Sequence, residues 1–185
     1  MADESVMAFF SAIDKVVQSV EMDLLSKAIQ LIDQTGANNG KIIIAGNGGS
    51  AAMASHVAVD LTKNARIRAI NFNEADLITC LANDYGYEHW VSKAITFYAE
   101  RNDLVILISS SGMSKNMING AKTAREKSLP LITFSGFNGN NLLRQLGDIN
   151  FYADSRSYNV VEMVHHIWLL CMVERLIGKR EESSS

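Results

Sequence analysis

The sequence predicts an α/β protein in which helices cover both faces of a five-stranded parallel sheet. Three observations support this fold class. A long amphipathic segment opens the 185-residue chain, short β-branched runs then alternate with helical segments, and several of those runs are apolar throughout. Strands buried on both faces of a parallel sheet have this uniformly apolar character. The sequence therefore predicts a three-layer α/β/α sandwich.

The first predicted element is a long helix over residues 4–35, with or without a break near Glu21. Its apolar residues recur at spacings of three and four, and "TGANNG" follows with residues that tolerate a left-handed backbone. Two interpretations of the apolar face stay open. It packs in a subunit interface, or the helix lies across its own domain.

The remaining elements follow in alternation, as expected for βαβ units. Strands are predicted at residues 41–46, 67–72, 103–109, 130–136 and 148–154, and helices at 50–62, 73–82, 88–99, 114–127, 140–146 and 158–177. Residues 1–178 then form a single domain, and residues 179–185 are expected to be a loose polar tail.

Composition excludes several classes of function. There are 17 basic and 20 acidic residues, for a net charge of -3, so nothing predicts nucleic-acid binding by electrostatics. No run of about 18 apolar residues could span a membrane, and the acidic N-terminus lacks the basic region of a secretory signal. We expect a cytoplasmic protein.

Cys80 and Cys171 lie in apolar runs without a CxxC pair, which favours two reduced, buried thiols over a disulfide.

Two loops follow predicted strands at the edge where ligands bind in parallel α/β sheets. They are "GNGGS" at residues 46–50 and "SSSGMSKN" at residues 109–116. Serines at helix starts are often simple caps. Four serines within residues 109–114 exceed what one cap requires, and hydroxyls with backbone N–H groups at a helix N-terminus suit a phosphate. Neither loop has the GxGxxG or P-loop pattern, which disfavours nucleotide binding.

Three segments together resemble a known family. "GNGGSAA", "NDYGYE" and "ISSSGMSKN", in this order and spacing, are similar to the sugar isomerase (SIS) domain and to its phosphoheptose isomerase branch. The resemblance covers nearly the whole chain. It implies the SIS fold, a small phosphorylated sugar as ligand, and a homotetramer with active sites at subunit interfaces.

The resemblance also implies site residues. The expected substrate-binding residues are Asn47, Gly48, Ser50, Asp84, Ser109, Ser110, Ser111, Ser114 and Asn116. Ser110 stands in place of the family's threonine and Met113 in place of its asparagine. His56 matches a zinc-binding histidine, and Asp60 stands where the family has a catalytic glutamate. Four residues apart on a helix, His56 and Asp60 share one face.

The last predicted helix departs from the family pattern. Val161 and Leu169 fall where the family has a glutamine and a histidine, and neither could do their chemistry. One interpretation is that the alignment shifts and a histidine reaches the site beside Glu162, with His166 favoured over His165. The other is that the catalytic acid is missing and the site only binds. On the first interpretation, zinc is held by His56, Asp60, Glu162 and His166.

The resemblance implies an aldose–ketose isomerase that acts on sedoheptulose 7-phosphate or a related sugar phosphate through an enediol(ate). Asp60 would be the base, His165 or His166 the acid, zinc would polarise the carbonyl, and the serine loop would hold the phosphate. The main alternative is a non-catalytic sugar-phosphate-binding or regulatory SIS protein, similar to the replication-initiator-associating protein. A third is an isomerase of another sugar phosphate, such as a capsule precursor. Turnover and bound zinc separate the first two.

Overall fold

A single parallel sheet of five strands forms the centre of the computed structural model, which describes residues 4–182. The strands are β1 Ile42–Gly46, β2 Ala69–Ile70, β3 Leu104–Ser109, β4 Leu131–Gly136 and β5 Ile149–Ala153, in the order β2-β1-β3-β4-β5. All neighbouring strands pair in parallel. Every residue of β1, β3 and β4 is buried, which confirms the prediction from their apolar runs.

Helices cover both faces of the sheet. They are α1 Glu4–Val17, α2 Met22–Ala37, α3 Gly49–Lys63, α4 Ala75–Tyr85, α5 Trp90–Tyr98, α6 Lys115–Glu126 and α7 Tyr158–Glu182, with a 3₁₀ turn at Tyr87–His89. Helices α1, α2, α3 and α7 build the core on one face, and α4, α5 and α6 the core on the other. The predicted three-layer sandwich is confirmed.

The N-terminal segment breaks near Glu21, so it forms two helices. Helix α1 ends at Val17, α2 begins at Met22 and continues to Ala37. The indole of Trp168 in α7 donates a hydrogen bond to the carbonyl of Val17, at 3.0 Å. This bond satisfies one of the carbonyls left free where α1 ends.

Two predicted elements differ from the structure. Strand β2, at one edge of the sheet, has only two residues, whereas residues 67–72 were expected. The helix expected at residues 140–146 is a series of turns. There the side chain of Asn141 donates to Ser135 Oγ (3.0 Å) and accepts from the backbone N–H of Arg144 (2.9 Å). Asparagine side chains that bond the backbone in this way compete with helix formation.

The C-terminal helix is longer than predicted. It continues through Glu182, so the expectation of a loose tail is wrong for residues 179–182, and residues 183–185 lie outside the described residues. The guanidinium of Arg180 donates to Asp33 Oδ1 (2.6 Å) and to the carbonyl of Ala65 (3.2 Å). These bonds fix the end of α7 to α2 and to the loop after α3.

Both cysteines are free thiols, but the expectation that they are buried is wrong. Cys80 is exposed on α4, with Sγ 3.8 Å from Asp84 Oδ2, and Cys171 is exposed on α7. A surface helix combines apolar and exposed positions, so an apolar run did not indicate which residues face inward. Within residues 4–182, no helix is long and apolar enough to cross a membrane.

Candidate active site

A small cavity of about 90 Å³ lies at the carboxyl ends of β1 and β3. Its lining residues are Asn47, Ser50, Ile108, Ser109, Ser110, Ser111, Ser114, Tyr158 and Glu162. We call it the serine pocket. A larger groove of about 550 Å³ lies beside Pro130 and Asp148, just before β4 and β5 begin. Ligands of parallel α/β sheets bind at the carboxyl ends of the strands, so the serine pocket is the candidate site.

The pocket serines are not simple helix caps. Ser114 precedes α6, yet its side chain makes no capping hydrogen bond. Instead the hydroxyl of Ser109 donates to that of Ser114, at 3.1 Å. The hydroxyl of Ser111 accepts the backbone N–H of Met113, at 3.2 Å. Hydroxyls that line a cavity and do not cap a helix can bond a ligand instead, which favours the phosphate interpretation.

Glu162 reaches the pocket from α7. The hydroxyl of Ser110 donates to Glu162 Oε1, at 3.4 Å. At Gly49, the first residue of α3, an added Cβ would collide with Glu162 Oε2. The glycine at residue 49 thus leaves room for this carboxylate beside the positive N-terminal end of α3.

A partly buried pair of asparagine side chains lies at the pocket. Asn47 and Asn116 exchange two side-chain hydrogen bonds, of 3.0 and 2.8 Å, and Tyr87 donates from its hydroxyl to Asn47 Oδ1 at 3.3 Å. Asn116 is only 2% exposed and does not line the pocket. It positions Asn47, whereas the sequence predicted that it binds substrate directly.

A second cluster lies on α3 and α7. His56 Nε2 is 3.2 Å from Asp60 Oδ2, and His56 Nδ1 is 3.1 Å from His166 Nε2. Asn64 donates from its side chain to Asp60 Oδ1, at 3.1 Å. Burial lowers the pKa of His166, nearby His56 lowers it further, and Asp60 opposes both effects. The structure thus brings His56, Asp60 and His166 together; we call these three residues the His–Asp cluster.

His165 does not reach the site. It is fully buried beside Phe134 and Trp168, and its Nε2 donates to the carbonyl of Ser135 at 3.0 Å. Its Nδ1 has no hydrogen-bond partner among residues 4–182. Burial lowers its pKa to about 4, against a smaller rise from the bond to Ser135. This position does not suit a catalytic acid and favours His166, which was the preferred histidine from sequence. Consecutive helical residues point in different directions, so only one of the pair can face α3.

Val161 and Leu169, the positions where the family has its glutamine and histidine, are also buried in the core. Two other predicted substrate residues lie outside the pocket lining. Asp84 is exposed at the end of α4, where Asn83 donates to it at 3.0 Å. Gly48 is exposed, with φ of 56°, just before α3.

Sequence reasoning missed two tyrosines. Tyr158 lines the pocket, and Tyr87 bonds Asn47. The motif "NDYGYE" contained the signal for Tyr87, since it was noted as a family motif, whereas nothing in the sequence marked Tyr158.

The predicted zinc ligands do not form one site. Glu162 lies in the serine pocket, while His56 uses both ring nitrogens for Asp60 and His166. In the described chain, no group of three or more His, Cys, Asp or Glu side chains is arranged to hold a metal ion. Protein zinc sites need at least three converging ligands. The donors present therefore do not fit zinc as the resemblance implies.

Comparisons with known proteins agree with the fold. The model of the SIS domain family matches residues 8–136. The phosphoheptose isomerase of Helicobacter pylori (strain ATCC 700392 / 26695) is 31% identical over 173 residues, covering 89% of each chain. That of Aliarcobacter butzleri is 32% identical over 165 residues, covering 86% of each. The structure of the phosphoheptose isomerase from Neisseria gonorrhoeae matches with a TM-score of 0.87 and 26% identity, over 95% of this chain and 98% of that one.

Proposed function

Because the chain belongs to the SIS domain family and, within it, to the phosphoheptose isomerases, we propose that it interconverts an aldose phosphate and a ketose phosphate. Sedoheptulose 7-phosphate is the first candidate substrate. The observation that carries the proposal is the position of the serine pocket beside the His–Asp cluster, since both are built on α3 and α7.

The serine pocket is the proposed phosphate site. Ser109, Ser110 and Ser114 supply hydroxyls close to the N-terminus of α6, where the helix dipole favours negative charge. Glu162 adds an acceptor on the α7 side of the pocket. A carboxylate there suits the sugar hydroxyls next to the phosphate, because they can donate hydrogen bonds to it.

The spacing along α7 suits a long sugar phosphate. Glu162 and His166 are four residues apart, or about 6 Å along the helix axis, and lie on one face. Sedoheptulose 7-phosphate carries its phosphate and its carbonyl near opposite ends of the carbon chain. A phosphate held by the serines would therefore let the carbonyl end extend towards His166.

The acid–base chemistry falls to the His–Asp cluster. Isomerisation requires a group that takes a proton from the carbon next to the carbonyl and returns it to the neighbouring carbon. Asp60, expected from sequence to be the base itself, is held by His56 and Asn64. Zinc is a cofactor that the family implies. Because its proposed ligands do not converge, the proposed proton transfers do not involve a metal ion.

The N-terminal helix is the proposed subunit contact. Met7 and Phe10 on α1 are 54% and 58% exposed, and Ile167 on α7 is 42% exposed. Several large apolar side chains exposed at a surface indicate an interface with another protein chain. A homotetramer that covers these side chains would bring a second subunit against α7, the helix that carries His166, and would place the site near a subunit interface. A cytoplasmic location stays a prediction.

The alternative function is sugar-phosphate binding without turnover. Val161 and Leu169, apolar and buried where the family has a glutamine and a histidine, favour it. Calorimetric titration with sedoheptulose 7-phosphate beside an isomerisation assay separates the two functions. Saturable binding with no product would support the binding protein, and product formation would support the isomerase.

A further inference from the structure

The hydrogen bonds of the His–Asp cluster have a direction. Asp60 accepts at both oxygens, from Asn64 Nδ2 at 3.1 Å and from His56 Nε2 at 3.2 Å. An ionised carboxylate can only accept. The Nε2 atom of His56 therefore carries a proton.

The tautomer of the second histidine follows from the first. A neutral imidazole has one N–H, so Nδ1 of His56 presents a lone pair. The proton between His56 Nδ1 and His166 Nε2, which are 3.1 Å apart, then belongs to His166. The lone pair of His166 is left on Nδ1, and no residue in 4–182 makes a hydrogen bond to that atom.

We propose that Asn64, Asp60 and His56 hold His166 in this tautomer, so that His166 Nδ1 is the base of a metal-independent isomerisation. The inference rests on the proposed function and deepens it. His166 is the catalytic residue, because it would touch the reacting carbons. Asp60, His56 and Asn64 are positioning residues that act through it.

The proton transfers balance. The C–H bond next to the aldehyde breaks, its proton goes to His166 Nδ1, and its electron pair forms the carbon–carbon double bond of an enediolate. The hydroxyl proton of that carbon passes to the former aldehyde oxygen. The remaining alkoxide becomes the ketone, and His166 returns its proton to the terminal carbon. While His166 is charged, Asp60 stabilises it through His56, as the carboxylate of a catalytic triad stabilises its imidazolium.

A metal ion would have to break this arrangement. Both ring nitrogens of His56 and both oxygens of Asp60 are engaged. Glu162, the remaining expected ligand, lies in the serine pocket. Binding zinc would cost these hydrogen bonds, and within residues 4–182 no three of the four expected side chains converge on one point.

Nitrogen-15 NMR of the imidazole rings directly tests which ring nitrogens of His56 and His166 carry a proton. The chain has four histidines, so single substitutions assign every signal, and His89→Gln is the matched control. At neutral pH we expect both His56 and His166 to be Nε2–H tautomers. Asp60→Asn should redistribute the His56 tautomers, and His89→Gln should leave them unchanged. A doubly protonated His56, or a His166 protonated on Nδ1, would overturn the proposal.

Metal dependence is the second part of the test. We expect one equivalent of zinc to leave the His56 and His166 signals unchanged and a chelator to leave turnover unchanged. Asn64→Ala should lower kcat about three- to tenfold with little change in KM, as expected for a lost positioning hydrogen bond. Zinc-shifted signals together with chelator-sensitive turnover would overturn the inference and leave the isomerase intact. The expected tautomers without turnover of any sugar phosphate would instead overturn the proposed function, and with it the catalytic role of His166.

Discussion

Glu162 Oε2 occupies the space in which a Cβ of residue 49 would lie. This contact joins the start of α3 to the start of α7, the two helices that carry the His–Asp cluster. Gly49→Ala must displace the Glu162 carboxylate, which can move because it is the end of a flexible side chain. We expect weaker sugar-phosphate binding, measured by calorimetric titration, with little change in stability.

Gly178→Ala is the matched control for that substitution. Its added Cβ would meet only Arg175 Nη1, at 3.8 Å, inside α7. Alanine in a helix interior is favoured over glycine by roughly 0.5–1 kcal/mol. Gly178→Ala should therefore raise stability and leave sugar-phosphate binding unchanged, and weaker binding in both variants would show that the collision with Glu162 is not the cause.

The serine hydroxyls should contribute to substrate binding. Ser109→Ala removes one donor to the phosphate, at about 1 kcal/mol per hydrogen bond, which raises KM roughly five- to tenfold. Ser26→Ala, on the exposed side of α2, is the control. Steady-state kinetics on both proteins tests this, and an unchanged KM for Ser109→Ala would place the phosphate elsewhere.

The free energy of unfolding should decrease as the pH is lowered, because of His165. Burial lowers its folded pKa to about 4, while the unfolded chain keeps the ordinary value of 6.5. The unfolded state therefore binds the extra proton between these values, so stability is full above pH 6.5 and is lost as pH falls towards 4. Between pH 7 and pH 5 we expect a loss of about 2 kcal/mol from this residue.

Denaturant titrations of the wild type and of His165→Met measure that loss. Methionine is apolar and of similar size, so the variant should lose this part of the pH dependence. His89→Gln, at an exposed histidine, should retain it. Equal pH dependence in the wild type and His165→Met would contradict the assignment.

The exposed face of α1 should hold subunits together. Phe10→Ser replaces a 58% exposed aromatic ring with a polar side chain, which costs little in a monomer but removes apolar area from an interface. We expect sedimentation velocity to show smaller assemblies than for the wild type. A wild-type chain that sediments as a monomer would reject the interface.

The fold was predictable because the signals were local and repeated. Apolar runs located β1, β3 and β4, and their order along the chain fixed a parallel sheet. The turns at residues 140–146 were not predictable, since they depend on a contact between Asn141 and Ser135 on β4. Helix periodicity cannot reveal a side-chain bond of that kind.

The site was predictable only in part. The loop motifs located the serine pocket and the face shared by His56 and Asp60. The choice between His165 and His166 depended on which side of α7 meets α3. Whether the expected metal ligands converge depended on the same packing, and within residues 4–182 they do not. Both outcomes follow from how two helices pack, which a single sequence does not specify.

Conversion of sedoheptulose 7-phosphate by the purified protein, with and without added zinc, tests the central claim most directly. The Asp60→Asn and His166→Ala variants are assayed together with the wild type, and His89→Gln is the matched control. The account predicts turnover by the wild type and by His89→Gln, and at least a 100-fold loss in His166→Ala, as expected for a missing acid–base group. Full turnover in His166→Ala, or saturable binding with no turnover in the wild type, would contradict it.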